Sequence, residues 1–150
     1  MSRFLVSRYQ DLTAYTPGEQ PRDRKYIKLN TNESPYPPSQ GVINAVNASE
    51  AALLRLYPDP TCANLKKKLA QTYGLKSENV FVSNSSDDVL NTAFTAFASN
   101  ERNAYFADIT YGFYKVFCRL HGTQAVVFPL KSDFTIDCSD YAGLNSGLIV

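Results

Sequence analysis

Four short apolar runs, separated by helical patterns and turn residues, constrain this chain more than any other feature. They are Val80-Phe81-Val82, Ala104-Tyr105-Phe106-Ala107, Ala125-Val126-Val127-Phe128 and Leu148-Ile149-Val150. Each is short, rich in β-branched and aromatic residues, and reads as a strand buried on both faces. Between the first two, Val89, Leu90, Ala93, Phe94 and Phe97 recur at three- and four-residue steps. That spacing predicts a helix from Ser86 to about Ala98. Thr110 to His121 reads as a second helix, stopped by Gly122. Strands alternating with helices predict an α/β fold with a partial doubly wound, mostly parallel sheet. Val150 stops inside a strand pattern with no helix after it to cover the sheet. The chain is therefore expected to be cut from something longer.

The earlier part is less regular. Up to about Arg24 there is no periodicity, and Tyr15-Thr16-Pro17-Gly18 suggests an extended arm. Tyr26-Ile27-Lys28-Leu29 alternates and predicts a short strand. Pro35, Pro37 and Pro38 interrupt regular structure, and Ser39 is placed to cap a helix running from Val42 through Leu54. Asp59-Pro60 predicts a further helix, with Asp59 as N-cap and Pro60 in the first turn. Cys62, Leu65, Leu69 and Tyr73 would form its apolar face, and Gly74 its stop. The Lys66–Lys68 run is read as a solvated face.

Composition narrows the function classes. With 150 residues, 44% hydrophobic and 19% charged, the chain is long enough for a core. A net charge of +1 supplies no basic field for nucleic acid and no patch for a membrane surface. No run approaches a membrane span, and no secretory signal is visible. Cys62, Cys118 and Cys138 are scattered, and His121 is the only histidine, so no metal site is expected. A disulfide framework is not expected either, which points to a cytoplasmic location.

Chemistry in open α/β sheets gathers at the carboxyl ends of strands. Two such ends stand out. Ser83-Asn84-Ser85-Ser86-Asp87-Asp88 leads from an expected strand into a helix. The amides of Ser85, Ser86 and Asp87 could receive a phosphate there, or Ser85-x-x-Asp88 could simply be a capping box. Tyr111 follows the next strand and could stack on a flat ligand or belong to the core beside Tyr114.

These residues resemble a known family. Leu29-Asn30-Thr31-Asn32-Glu33-Ser34-Pro35, Tyr57-Pro58-Asp59, the Ser83–Asp88 loop, Thr110-Tyr111-Gly112-Phe113-Tyr114 and Tyr15-Thr16-Pro17-Gly18 resemble, in order, segments of histidinol-phosphate aminotransferases. These are fold-type-I transferases dependent on pyridoxal 5'-phosphate. The resemblance spans nearly the whole chain. It implies residues 1–56 as an N-terminal arm and part of a small domain, and 57–150 as the first half of the cofactor-binding domain.

The resemblance also implies roles. Ser85, Ser86 and Asp87 would hold the cofactor phosphate, Asp87 chiefly through its backbone N–H. Tyr111 would stack on the cofactor ring, and Tyr57 would reach the partner subunit's site in a homodimer. Tyr15 and Asn32 would line the substrate pocket. The reaction implied for the complete protein is amino transfer between L-histidinol phosphate and 2-oxoglutarate, a step of histidine biosynthesis. A threonine-phosphate decarboxylase and a non-catalytic binding or dimerisation module share the same pattern. The family's cofactor-bearing lysine would follow Val150, and no lysine from Lys25 to Lys131 matches it, so no catalytic residue is assigned within the chain. Ser83 and Ser85 replace two family glycines, and serine resists left-handed backbone angles.

Overall fold

The structure, a computed structural model, describes residues 6–10, 15–16, 18–19, 21, 23–24, 26–46 and 48–150. Parts of the expected arm, Pro17 and Arg22 among them, lie outside the described residues. Contacts divide the chain into two units. One comprises Ser83–Val150 with the described residues up to Tyr15, and the other Thr16–Val82.

The first unit is built on three parallel strands in the order β2-β1-β3. Strand β1 (Ala104–Ala107) lies between β2 (Ala125–Phe128) and β3 (Leu148–Ile149). The register pairs Ala104 with Ala125 on one side and with Leu148 on the other. Helix α4 (Ser85–Phe97) precedes β1, and α5 (Phe113–His121) connects β1 to β2. A short helix, α6 (Cys138–Tyr141), lies on the way to β3. The α/β architecture read from the sequence is the one found.

The core explains the arrangement. Phe94 of α4, Phe106 of β1, and Phe117 and Cys118 of α5 pack with Ala104 in one buried cluster. Leu90, Leu120 and Leu148 close around it. Phe94 and Phe106 are fully buried, and Phe94 meets Phe117 at a centroid distance of 5.3 Å. Central β1 alternates little because both its faces are covered, whereas edge strand β2 leaves Val127 40% exposed. Gly122 ends α5 in a left-handed conformation, as expected of a glycine at that place.

Several boundaries differ from the expected ones. Val80-Phe81-Val82 belongs to no strand: Val80 is extended, but the run has no ladder partner and Phe81 is exposed. A strand pattern without a neighbour to bond cannot become a strand. Helix α5 begins at Phe113, three residues after Thr110, with Gly112 at its N-cap.

The second unit is more open. Tyr26–Leu29 forms no strand, and Ile27 and Leu29 are almost fully exposed. Ser39 does cap a helix, accepting from the Val42 amide at 3.4 Å. The segment is split into α1 (Gln40–Ala45) and α2 (Ala48–Leu53). Helix α3 (Ala63–Tyr73) starts later than Pro60 because Asp59 first closes a turn. The Asp59 carboxylate accepts from the amides of Thr61 at 2.9 Å and Ala63 at 2.8 Å. Cys62, left-handed at φ 49°, becomes the N-cap residue instead. Only part of the expected apolar face is covered: Ala70 is buried, while Leu65 and Tyr73 stay exposed. Gly74 stops α3 in a left-handed turn.

Candidate functional site

The described site forms where α4 begins and where β1 ends. Asn84 is the N-cap residue of α4, and its side chain makes no capping hydrogen bond. The opening amides of Ser85, Ser86 and Asp87 therefore head a thirteen-residue helix that its N-cap side chain leaves open. Unpaired N–H groups and the helix dipole favour an anion at such a place. The Ser85-x-x-Asp88 capping box is not what forms. Asp88 instead accepts from the Ser83 hydroxyl and, at 3.3 Å, from the Asn84 amide. Ser85 has φ +74°, so it holds the left-handed conformation for which serine is poorly suited. Asn84, Ser85, Asp87, Asp88 and Asn91, with Phe117 and Leu120, line an open hollow of about 400 Å³.

At the end of β1, Asp108 ties two loops together. Its carboxylate accepts from the amides of Ile109 and Leu130, each at 2.9 Å. The loop it anchors carries Tyr111, whose carbonyl accepts from Tyr114 N–H at the start of α5. The Tyr111 ring stands edge-on to Tyr114 at 5.6 Å and nearly parallel to Phe113 at 6.1 Å. Phe113 in turn meets Tyr15 at 4.9 Å. Tyr111 remains 40% exposed, which leaves ring surface for a flat ligand.

One contact joins the two halves. The Tyr111 hydroxyl donates to Asp87 Oδ1 at 2.8 Å. That bond, with burial second, pushes the Tyr111 phenol up to about 12. The phenol, protonated in the physiological range even at its ordinary value, is held to its donor form further into alkali. The resemblance implied a role for Asp87 chiefly through its backbone N–H; its side chain is engaged with Tyr111 as well. Asp108 and the Ser83–Asp88 pair were also missed. The signal available for Asp108 was a carboxylate directly after an apolar run.

Ser85, Ser86, Asp87, Tyr111 and Tyr15 thus share the first unit. Asn32 and Tyr57 belong to the second. Asn32 sits in a turn at φ +52°, lining with Leu29 and Glu33 a hollow of about 520 Å³. Tyr57 lies between α2 and α3 and is fully exposed. A separate hollow of about 560 Å³ spans the ends of β1 and β3, lined by Ile109, Leu130, Phe134, Ile136 and Tyr141 among others. Among the described residues its lining is mostly apolar, with no charged side chain. Among the described residues no helix is long and apolar enough to cross a membrane.

The fold places the chain among α/β proteins with a parallel sheet, and the Tyr111 half of the candidate site follows the carboxyl end of β1. The sequence pattern of the family described as aminotransferase class I and II matches residues 24–146, and the chain belongs to that family. Among curated proteins it is similar to the histidinol-phosphate aminotransferases of Clostridium acetobutylicum, 48% identical over 150 residues, and Brachyspira hyodysenteriae, 47% identical over 150. That of Marinomonas sp. is 49% identical over 151 residues. Each alignment covers 100% of this chain but only 43%, 42% and 43% of those proteins, respectively. The chain thus spans about two fifths of the length of the relatives it matches. A crystal structure assigned as an aminotransferase of Burkholderia pseudomallei superposes with a TM-score of 0.62 at 21% identity. It covers 75% of this chain and 34% of that one, and shows the shared fold.

Proposed function

We propose that the complete protein is a pyridoxal-phosphate-dependent histidinol-phosphate transaminase, exchanging an amino group between L-histidinol phosphate and 2-oxoglutarate. The observation that carries this reading is the pairing of an open helix N-terminus with a partly exposed tyrosine ring, held together by the Tyr111–Asp87 bond. Phosphate-binding amides beside a stacking ring suit a flat, phosphorylated cofactor better than either feature alone. Similarity to histidinol-phosphate aminotransferases over the whole chain supports the choice of substrate.

In this reading Ser85, Ser86 and Asp87 hold the cofactor phosphate with backbone N–H groups, the serines adding hydroxyls. Tyr111 lies against the ring and limits its tilt. Tyr15 and Asn32 line the substrate pocket. Tyr57 reaches the second subunit of a homodimer, a role with which its full exposure is consistent. The cofactor, when bound, supplies an electron sink for carbanion chemistry. The chain's own residues bind and orient. The boundary near Leu56, between arm with small domain and cofactor domain, and a cytoplasmic location, belong to the same proposal.

The test is to express the complete protein encoded by the reading frame that carries this chain and load it with pyridoxal phosphate. Glutamate should form from L-histidinol phosphate and 2-oxoglutarate. Release of carbon dioxide from threonine phosphate, without transamination, would replace this reading with a decarboxylase. The 150-residue chain by itself should not transaminate, since no lysine in it takes the cofactor-bearing position.

A further inference from the structure

We propose that the Asp87 carboxylate is a positioning residue, tethering the Tyr111 hydroxyl so that the ring keeps a fixed orientation relative to the phosphate-binding turn. The proposal rests on the cofactor reading above and adds a role for a side chain that the reading left idle.

The geometry carries it. Asp87 is in the first turn of α4, and Tyr111 lies in the loop before α5, 24 residues later. Their bond connects the element that would hold the phosphate to the loop that carries the ring. A phosphorylated ring has a fixed span between its two parts, so a fixed span between the two holders lowers the ordering cost of binding. The aromatic neighbours do not supply this. Tyr114 and Phe113 touch the ring at 5.6 and 6.1 Å, and such pairs tolerate a range of tilts. A hydrogen bond at 2.8 Å is directional and picks one.

Charge makes the alternative distinguishable. A carboxylate beside an anion site should by simple repulsion weaken phosphate binding, so removing it should help. Positioning predicts the opposite for Asp87→Ala.

The experiment measures pyridoxal phosphate and pyridoxal binding to the complete apoprotein by equilibrium dialysis. The variants are Asp87→Ala, Asp87→Asn, Tyr111→Phe and the double variant Asp87→Ala/Tyr111→Phe. Tyrosine titration by ¹³Cζ NMR is followed in parallel, with Tyr111 assigned through its Phe variant. Asp87→Ala should weaken pyridoxal phosphate binding about tenfold, the loss expected for a hydrogen bond to a charged group. Tyr111→Phe should match it, and the double variant should lose no more than either. Asp87→Asn, which still accepts from the hydroxyl, should restore binding. The Tyr111 titration should fall from about 12 toward 10 in Asp87→Ala. Unchanged or tighter binding in Asp87→Ala, or a wild-type Tyr111 that titrates near 10, overturns the tether while leaving the cofactor reading in place. Wild-type protein that fails to prefer pyridoxal phosphate over pyridoxal overturns the cofactor reading, and the tether's function with it.

Discussion

At the scale of single residues, two positions run against local preference. Ser85 occupies a left-handed angle, φ +74°, at the head of α4. Such an angle costs an L-residue roughly 1–2 kcal/mol, and glycine avoids that at an entropic cost of about 0.5–1 kcal/mol. Ser85→Gly should therefore raise stability by about 0.5–1 kcal/mol in urea unfolding. A destabilised variant would mean that the serine hydroxyl makes up for its backbone. Thr123 is the second. It is 7% exposed, and among the described residues its hydroxyl has no hydrogen-bond partner. Thr123→Val removes a buried polar group that nothing satisfies and should stabilise by about 1 kcal/mol. Loss of stability on that change would reveal a partner for the hydroxyl. The first was signalled in the sequence, where Ser85 stands at a family glycine; the second is not legible there, because it depends on what the neighbours leave open.

At the scale of elements, the sheet depends on one close approach. Gly147 has φ +105°, and a Cβ there would collide with the Asn103 carbonyl and come within 2.7 Å of the Tyr105 ring. The approach is needed because Leu148 N–H donates to that same Asn103 carbonyl at 2.9 Å, opening the β1–β3 ladder. Gly147→Ala should cost about 2 kcal/mol or more. Amide exchange at Leu148 and Val150 should speed up before that at Phe106, since the β3 edge would detach first. Equal protection in the variant would show that the edge can shift without loss. Elements that carry both a pattern and a partner were read correctly: α4, α5, β1 and β2 lie within a few residues of their expected places. Val80–Val82 and Tyr26–Leu29 have the pattern alone. An alternating or apolar run states a capacity for pairing, and a ladder needs a second backbone to complete it.

At the scale of the molecule, the buried core is concentrated in the unit containing Ser83–Val150, with Ala70 the buried apolar residue found in the other. Titration of two groups in that unit, buried Cys118 and partly exposed Tyr111, sets an alkaline limit. Burial pushes the Cys118 thiol from 9.0 up to about 11, and the bond to Asp87 pushes the Tyr111 phenol from 10.0 up to about 12. Both folded-state values lie above the ordinary ones, so the folded state favours the protonated forms. That stabilisation is complete below pH 9 and is lost as pH rises through about 11 and 12. The urea midpoint should hold steady up to about pH 9 and then fall. Cys118→Ala should flatten the first part of the fall. A midpoint that declines equally in that variant would assign the loss to other groups. The folded thiol should also resist modifying reagents, whereas exposed Cys138 reacts at once.

The sequence by itself determined the α/β class, the helix stops at Gly74 and Gly122, the cap at Ser39 and the family to which the chain belongs. These follow from local chemistry, namely periodicity, backbone angle and short motifs, which is written residue by residue. Only the tertiary structure decided that Asp88 bonds Ser83 at the head of α4 and that Asp87 reaches a tyrosine 24 residues away. Each of these is a choice of partner, and a side chain's partner is set by which surfaces the packed core brings within hydrogen-bonding distance.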